Sequence, residues 1–129
     1  MNVLLDTCAI LFLSLDDPCV RPSTRALLEK AERVAISPIS AAELACLQER
    51  GRIELPMHWR LWLREALKRN GWDTLPMTLE IVEEAWCLPG TFHTDPADRI
   101  LAATARKENS LLLTTDRKLL DYPHVRAEW

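Results

Sequence analysis

Five carboxylates in this chain stand where apolar runs end or helical segments begin: Asp6, Glu43, Asp95, Asp98 and Asp116. Asp6 follows the apolar run Asn2-Val3-Leu4-Leu5. Glu43 stands three residues after Ser40, the spacing of a Ser-x-x-Glu capping box. Asp95 and Asp98 enclose Pro96-Ala97, and Asp116 follows Leu111-Leu112-Leu113-Thr114 by two residues. Acids near a helix start complement its dipole, and Asp95 ahead of Pro96 is a good N-cap, so capping is one reading of several of them. The set read together points to other chemistry. No Lys or Arg is adjacent to Asp6 or Glu43, and like charges crowded into one cleft cost free energy unless a cation compensates them. An all-oxygen donor set without His or Cys at ligand spacing selects a hard ion such as Mg²⁺ or Mn²⁺. A bound ion of that kind makes its water easier to deprotonate. None of Ser14, Ser23, Ser37, Ser40 and Ser110 has an adjacent His, which leaves no evident serine nucleophile.

Acids from such separate segments meet only if the intervening chain returns each of them to one rim. Asn2 to Leu5 reads as a buried strand ended by Asp6-Thr7, followed by a short helix over Ala9 to Leu15 and a second over Pro22 to Ala31. Val34 to Ser37 is the next strand. A third helix opens on the Ser40 to Glu43 capping box and runs to about Arg50, where Gly51 stops it. Trp59, Trp62, Leu63, Ala66 and Leu67 recur at helical spacing opposite Arg60, Arg64, Glu65, Lys68 and Arg69, an amphipathic helix. Trp72 to Leu75 is a weak strand, Leu79 to Cys87 a helix capped by Thr78, and Leu88-Pro89-Gly90 a turn. The Asp95 helix is apolar nearly all round through Ile100, Leu101, Ala103, Thr104 and Ala105, which calls for burial. Leu111 to Thr114 is a clear strand, Asp116 to Leu120 a helical turn or two, and Val125 to Ala127 a last extended piece. Strands alternating with helices imply right-handed crossovers and a three-layer α/β/α domain over residues 1–129 with a mainly parallel central sheet. In such a sheet, residues just past a strand and the first turns of the following helices share the C-terminal edge. All five carboxylates are expected there.

Composition agrees with one compact domain: 129 residues, 48% hydrophobic, 27% charged and three glycines. A net charge of −3 excludes an overall basic field, so any nucleic-acid role has to rest on a local site. Cys8, Cys19, Cys46 and Cys87 form no C-x-x-C pair and have no His close by, which reads as reduced core thiols of a cytoplasmic protein. The apolar stretch Val3 to Leu15 is interrupted by Asp6, has no Lys or Arg ahead of it and is too short to span a bilayer. The chain is accordingly expected to be soluble and unprocessed, with no membrane role.

Four segments together resemble the PIN-domain ribonucleases, most closely the VapC-type toxins of type II toxin–antitoxin pairs. They are Leu4-Leu5-Asp6-Thr7-Cys8-Ala9-Ile10, Ser40-Ala41-Ala42-Glu43-Leu44, Asp95-Pro96-Ala97-Asp98-Arg99-Ile100-Leu101-Ala102-Ala103-Thr104-Ala105 and Leu113-Thr114-Thr115-Asp116. The resemblance covers almost the whole chain, with the motifs in order. It implies a PIN-like fold and a metal-dependent endoribonuclease that cuts RNA with metal-activated water. Asp6, Glu43, Asp98 and Asp116 would hold one or two Mg²⁺ or Mn²⁺ ions, with Asp95 either a further ligand or a cap. Thr7 and Thr114 would orient the carboxylates or a metal-bound water. The partners implied are an RNA substrate, a cognate antitoxin and a second copy of the chain in a homodimer.

Several residues carry two readings at this level. Arg99, Arg117 and Lys118 are phosphate contacts or ordinary solvated charge. His93 is a helix-entry contact or a general acid. The Trp59 and Trp62 face is core, or the groove that the resemblance assigns to the antitoxin. A catalytically inactive RNA-binding or regulatory PIN-like module and a metal-dependent phosphatase are the alternative functions. The intact carboxylate set speaks against the first, and the absence of Asp-x-Asp after the first strand against the second.

Overall fold

The computed structural model describes residues 1–129, and five parallel strands form its middle layer. In chain order the elements are β1 (Asn2–Leu5), α1 (Thr7–Ser14), α2 (Pro22–Lys30), β2 (Arg33–Ile36), α3 (Pro38–Glu49), α4 (Trp59–Asn70), β3 (Asp73–Thr74), α5 (Leu79–Ala85), α6 (Pro96–Lys107), β4 (Ser110–Leu113), α7 (Arg117–Leu120) and β5 (Ala127–Glu128). Strand order is β3-β2-β1-β4-β5. The chain therefore builds outward from β1 on one side and then crosses to the other, which puts the switch point between β1 and β4, where open α/β sheets hold their ligands.

Alternation along β1 separates the two covering layers. Val3 and Leu5 join Ala9, Ile10, Leu44, Trp62 and Leu63 in one core, while Leu4 joins Leu101, Ala102, Ala105 and Leu119 in the other. A strand apolar on both faces is what a parallel sheet covered on both sides requires. Register delivers the rim: Leu5 pairs with Ile36 on one side and Leu113 on the other, so Asp6, Ser37 and Thr114 leave the sheet at one level. The Asp6 amide continues the ladder by donating to the Leu113 carbonyl at 3.2 Å.

α6 starts as its sequence requires, with Asp95 as N-cap and Pro96 in the first turn, and its residues Ala97 and Ile100 to Ala105 are buried. α4 has the expected amphipathic form and ends on Gly71, whose φ of 66° is the left-handed turn a helix C-terminus favours. Three expectations are corrected. α3 begins at Pro38, with Ser37 as its cap through Ser37 Oγ accepting from the Ile39 amide at 3.2 Å. Ser40 is thus buried inside the first turn and Glu43 lies in the second, so there is no Ser40 to Glu43 capping box. α1 begins at Thr7, immediately after Asp6, rather than at Ala9. The cysteines are free but exposed at all four positions, not core. No helix is long and apolar enough to cross a membrane.

Candidate functional site

Asp6 is the deepest of the acids, only 6% exposed, and two neighbours hold it in place. Its Oδ1 accepts from the Ala9 amide at 2.7 Å, capping α1, while Oδ2 accepts from the Thr114 hydroxyl. Thr114 Oγ1 in turn accepts from the Asp116 amide at 3.0 Å. One fully buried threonine on the far side of β1 thus fixes Asp6 and the backbone of Asp116 relative to each other. Thr7 does the same on the opposite flank, donating to Glu43 Oε1 at 2.5 Å and tying α1 to α3. Asp95 Oδ1 accepts from the Asp98 amide at 3.1 Å, and Asp116 Oδ1 from the Lys118 amide at 2.9 Å, so both carboxylates use one oxygen as a helix cap.

The charges sense one another. Burial pushes the Asp6 carboxyl up to about 6, against the hydrogen bonds from Thr114 and Ala9, and the charges of Glu43 and Asp116 add to the rise. Asp98 is pushed up to about 7, first by burial, then by Asp95, Asp116 and Glu43, with a hydrogen bond to the Asp116 carboxyl favouring the protonated form. Glu43 is also raised, by burial and by Asp95, with Thr7 pulling the other way. Cys8 reports on the same field: its thiol is pushed up to about 11 by burial and then by Asp6, Glu43, Asp116 and Asp98. No Lys or Arg forms an ion pair with any of the five acids. The single cationic candidate is His93, whose Nε2 lies 3.0 Å from Asp98 Oδ2 without the alignment of a hydrogen bond.

The structure therefore brings Asp6, Glu43, Asp98 and Asp116 into one electrostatic unit at the edge of β1 and β4, with Asp95 on its rim. Arg99, expected among the phosphate contacts, is turned away from that role. Its guanidinium donates to the Ala85 and Phe92 carbonyls, each at 3.0 Å, and is thereby committed to the loop ahead of α6. Cys8 is the site neighbour that sequence reasoning placed elsewhere. The signal was its position two residues after Asp6, which matters only once α1 is known to start at Thr7.

The donor chemistry fits a hard divalent cation: several carboxylate oxygens and two threonine hydroxyls, no nitrogen or sulfur donor in the set itself, and three acids raised first by burial and then by neighbouring negative charge that no Lys or Arg pairs with. In the present rotamers no three acidic, histidine or cysteine side chains converge on one point at coordination distance, so the fit is one of chemistry and charge.

Residues 3–125 match the model of the PIN domain family. The chain is a PIN-domain protein. Among curated proteins this PIN domain is 33% identical over 125 residues to Ribonuclease VapC22 of Mycobacterium tuberculosis (strain ATCC 25618 / H37Rv), covering 97% of this chain and 95% of that one. Its fold is shared with VapBC2 from Rickettsia felis bound to a DNA fragment from its promoter, at a TM-score of 0.72 and 22% identity, over 99% of this chain and 98% of that one. It is shared too with a toxin–antitoxin complex from Klebsiella pneumoniae, at a TM-score of 0.64 and 20% identity, over 98% of this chain and 96% of that one. The parallel three-layer sheet expected from the alternation of strands and helices is the PIN arrangement.

Proposed function

We propose that this PIN domain is a divalent-metal-dependent endoribonuclease and the toxin of a type II toxin–antitoxin pair. One observation carries the reading: four carboxylates from four segments raise one another's protonation with no Lys or Arg in ion-pair contact with any of them, and their repulsion makes sense where a cation sits. The 33% identity to a protein named a ribonuclease supports the substrate class. Asp6, Glu43, Asp98 and Asp116 would hold Mg²⁺ or Mn²⁺, with Asp95 at the rim as cap and outer support. When bound, the ion lowers the pKa of water and offsets charge developing on the scissile phosphate. The chain's own residues supply the geometry. Thr114 locks Asp6 to the backbone of Asp116 at the start of α7, Thr7 locks Glu43, and the burial of Asp6 keeps bulk water from competing for its oxygens.

A cognate antitoxin and a second copy of the chain are the proposed partners. Trp59 is half-buried and lines a cavity of about 250 Å³ with Ile36, Pro38, Ala41, Leu63 and Leu67, edged by Arg60, Arg64 and Thr74, an apolar surface with a basic rim suited to an antitoxin segment. The Klebsiella pneumoniae neighbour, named a toxin–antitoxin complex, supports an antitoxin partner; the location rests on the surface itself. The deciding experiment is cleavage of a short fluorescent RNA by the purified chain. Cutting is expected with Mg²⁺ or Mn²⁺ and none with EDTA. Full activity in EDTA overturns metal dependence, and no cleavage under any metal condition overturns the nuclease reading.

A further inference from the structure

A second feature adjoins the carboxylates. A cavity of about 490 Å³ is lined by Thr91, Phe92, His93, Lys118, Asp121, Tyr122 and Pro123, within the size range of small-ligand pockets, roughly 300–1,000 Å³. It touches the acid cluster from two sides: His93 Nε2 is 3.0 Å from Asp98 Oδ2, and the Lys118 amide is 2.9 Å from Asp116 Oδ1. Its floor is aromatic. The Phe92 ring centroid lies 4.4 Å from that of His93 and 4.6 Å from that of Tyr122.

Core packing accounts for Tyr122, which is 4% exposed and donates its hydroxyl to the Pro89 carbonyl at 2.5 Å. It accounts for Phe92 only in part: the ring packs against the core of Leu4 and Leu101 on one side, yet Phe92 and His93 both stay partly open on a loop between α5 and α6. That loop is firmly held. Arg99 donates to the Phe92 carbonyl at 3.0 Å while its guanidinium carbon lies 6.0 Å from the Phe92 ring centroid, and Tyr122 grips Pro89. The rings are a preorganised surface, so a flat ligand stacking on them immobilises little. Charge narrows the ligand further. A phosphate is repelled by the acids unless a cation meets it, whereas a neutral heterocycle can sit beside them freely. Lys118 is exposed and forms no ion pair with Asp121, which Arg117 approaches at 3.6 Å instead.

We propose that this cavity is a nucleobase subsite: the base of a nucleotide flanking the scissile phosphate stacks on Phe92, with the His93 ring, tilted 54° to it, as a side wall, and Lys118 meets the phosphate on the outer side of that nucleotide. The proposal rests on the endoribonuclease reading and names how its substrate is seated. Stacking on an aromatic side chain tolerates any base but requires one to be present.

The test compares an RNA of known cleavage point with two copies carrying an abasic nucleotide on either side of the cut bond, for wild type, Phe92→Leu and Lys118→Gln, with Mg²⁺. Wild type is expected to lose roughly five- to 150-fold in kcat/KM at one of the two abasic positions, the rate equivalent of one base–aromatic stack. In Phe92→Leu that loss should shrink below about threefold. A variant that merely disturbed the loop would slow all three RNAs alike and leave the ratio unchanged. Lys118→Gln, an exposed position, should lower kcat/KM on the intact RNA with a weaker salt dependence while keeping the abasic penalty. Cleavage by wild type that ignores both abasic substitutions, or a penalty that survives intact in Phe92→Leu, overturns the subsite and leaves the nuclease reading standing. Absence of cleavage from every RNA overturns the nuclease reading itself.

Discussion

Asp98 is under two opposed forces. As a first-turn acid it gains about 0.3–1 kcal/mol from the helix dipole. As a buried carboxylate facing Asp95, Asp116 and Glu43 it is pushed up to about 7, so at alkaline pH its charge is a net burden on the metal-free fold. Asp98→Asn is therefore expected to hold or raise the melting temperature in EDTA at pH 8, while RNA cleavage in Mg²⁺ falls by orders of magnitude. A lower melting temperature together with wild-type cleavage would make Asp98 a cap alone. The same shifts predict a pH dependence. Asp6 and Asp98 keep protons in the folded state up to about 6 and 7, above the ordinary carboxylate range where the unfolded chain loses them. Between those limits the folded state binds more protons, so the stability of the metal-free protein should decline as pH rises from about 4 to 7. Melts in EDTA across that window should show the decline in wild type and a shallower one in Asp98→Asn; parallel curves would rule out Asp98 as its source.

At the scale of elements, α4 divides the two readings of the tryptophans between them. Trp62 is 5% exposed and packed with Leu5, Ile10 and Leu44, so it is core. Trp62→Ala should cost about 3–5 kcal/mol. Leu61 is 61% exposed on the same helix, and Leu61→Ser should change stability by about 0.5 kcal/mol or less. Trp59→Ser and Leu61→Ser should weaken an antitoxin complex, measured by titration calorimetry, more than they lower the melting temperature; unchanged affinity in both would place the partner elsewhere. α4 and α6 were legible because a periodic apolar stripe, or an Asp-Pro start before an apolar run, has few competing interpretations. α3 was misread because two start signals overlap within six residues. Pro38 behind Ser37 won over Ser40 with Glu43, since proline fits a first turn where its missing N–H costs nothing. The carboxylate rim survived that error, because Glu43 moves one turn along α3 and still reaches Thr7. Arg99 could not be read at all. Its partners are the carbonyls of Ala85 and Phe92, and backbone acceptors leave no trace in side-chain sequence. Cys8 was misplaced for a related reason: burial of a thiol depends on which helix face it occupies, and the eight-residue α1 carries too few residues to define that face, while Cys19 and Cys87 lie outside the helices altogether.

For the whole molecule, the sheet edge concentrates negative charge in a chain whose net charge is only −3, so the folded state carries local repulsion that the unfolded chain disperses. A cation that binds only the folded state adds RT ln(1 + [L]/Kd) to stability, about 2.7 kcal/mol at one hundred times Kd. For a domain of this length, 1 kcal/mol corresponds to about 3–5 °C, so saturating Mg²⁺ should raise the melting temperature by about 8–13 °C. The rise should grow between pH 5 and 8, since protons on Asp6 and Asp98 compete with the ion at the acid end and are gone at the other. Asp6→Asn, lacking the deepest carboxylate, should lose most of the rise, whereas Leu61→Ser, at a position exposed on α4 that is none of the five acids, should keep it. K⁺ at matched ionic strength screens the repulsion without occupying the site and should give a small, pH-insensitive increase. Scanning calorimetry of wild type and both variants with EDTA, K⁺ and Mg²⁺ makes the comparison. If Mg²⁺ does no more than K⁺, or if Asp6→Asn keeps the full Mg²⁺ increment, the carboxylates hold no ion and their crowding at the end of β1 needs another cause.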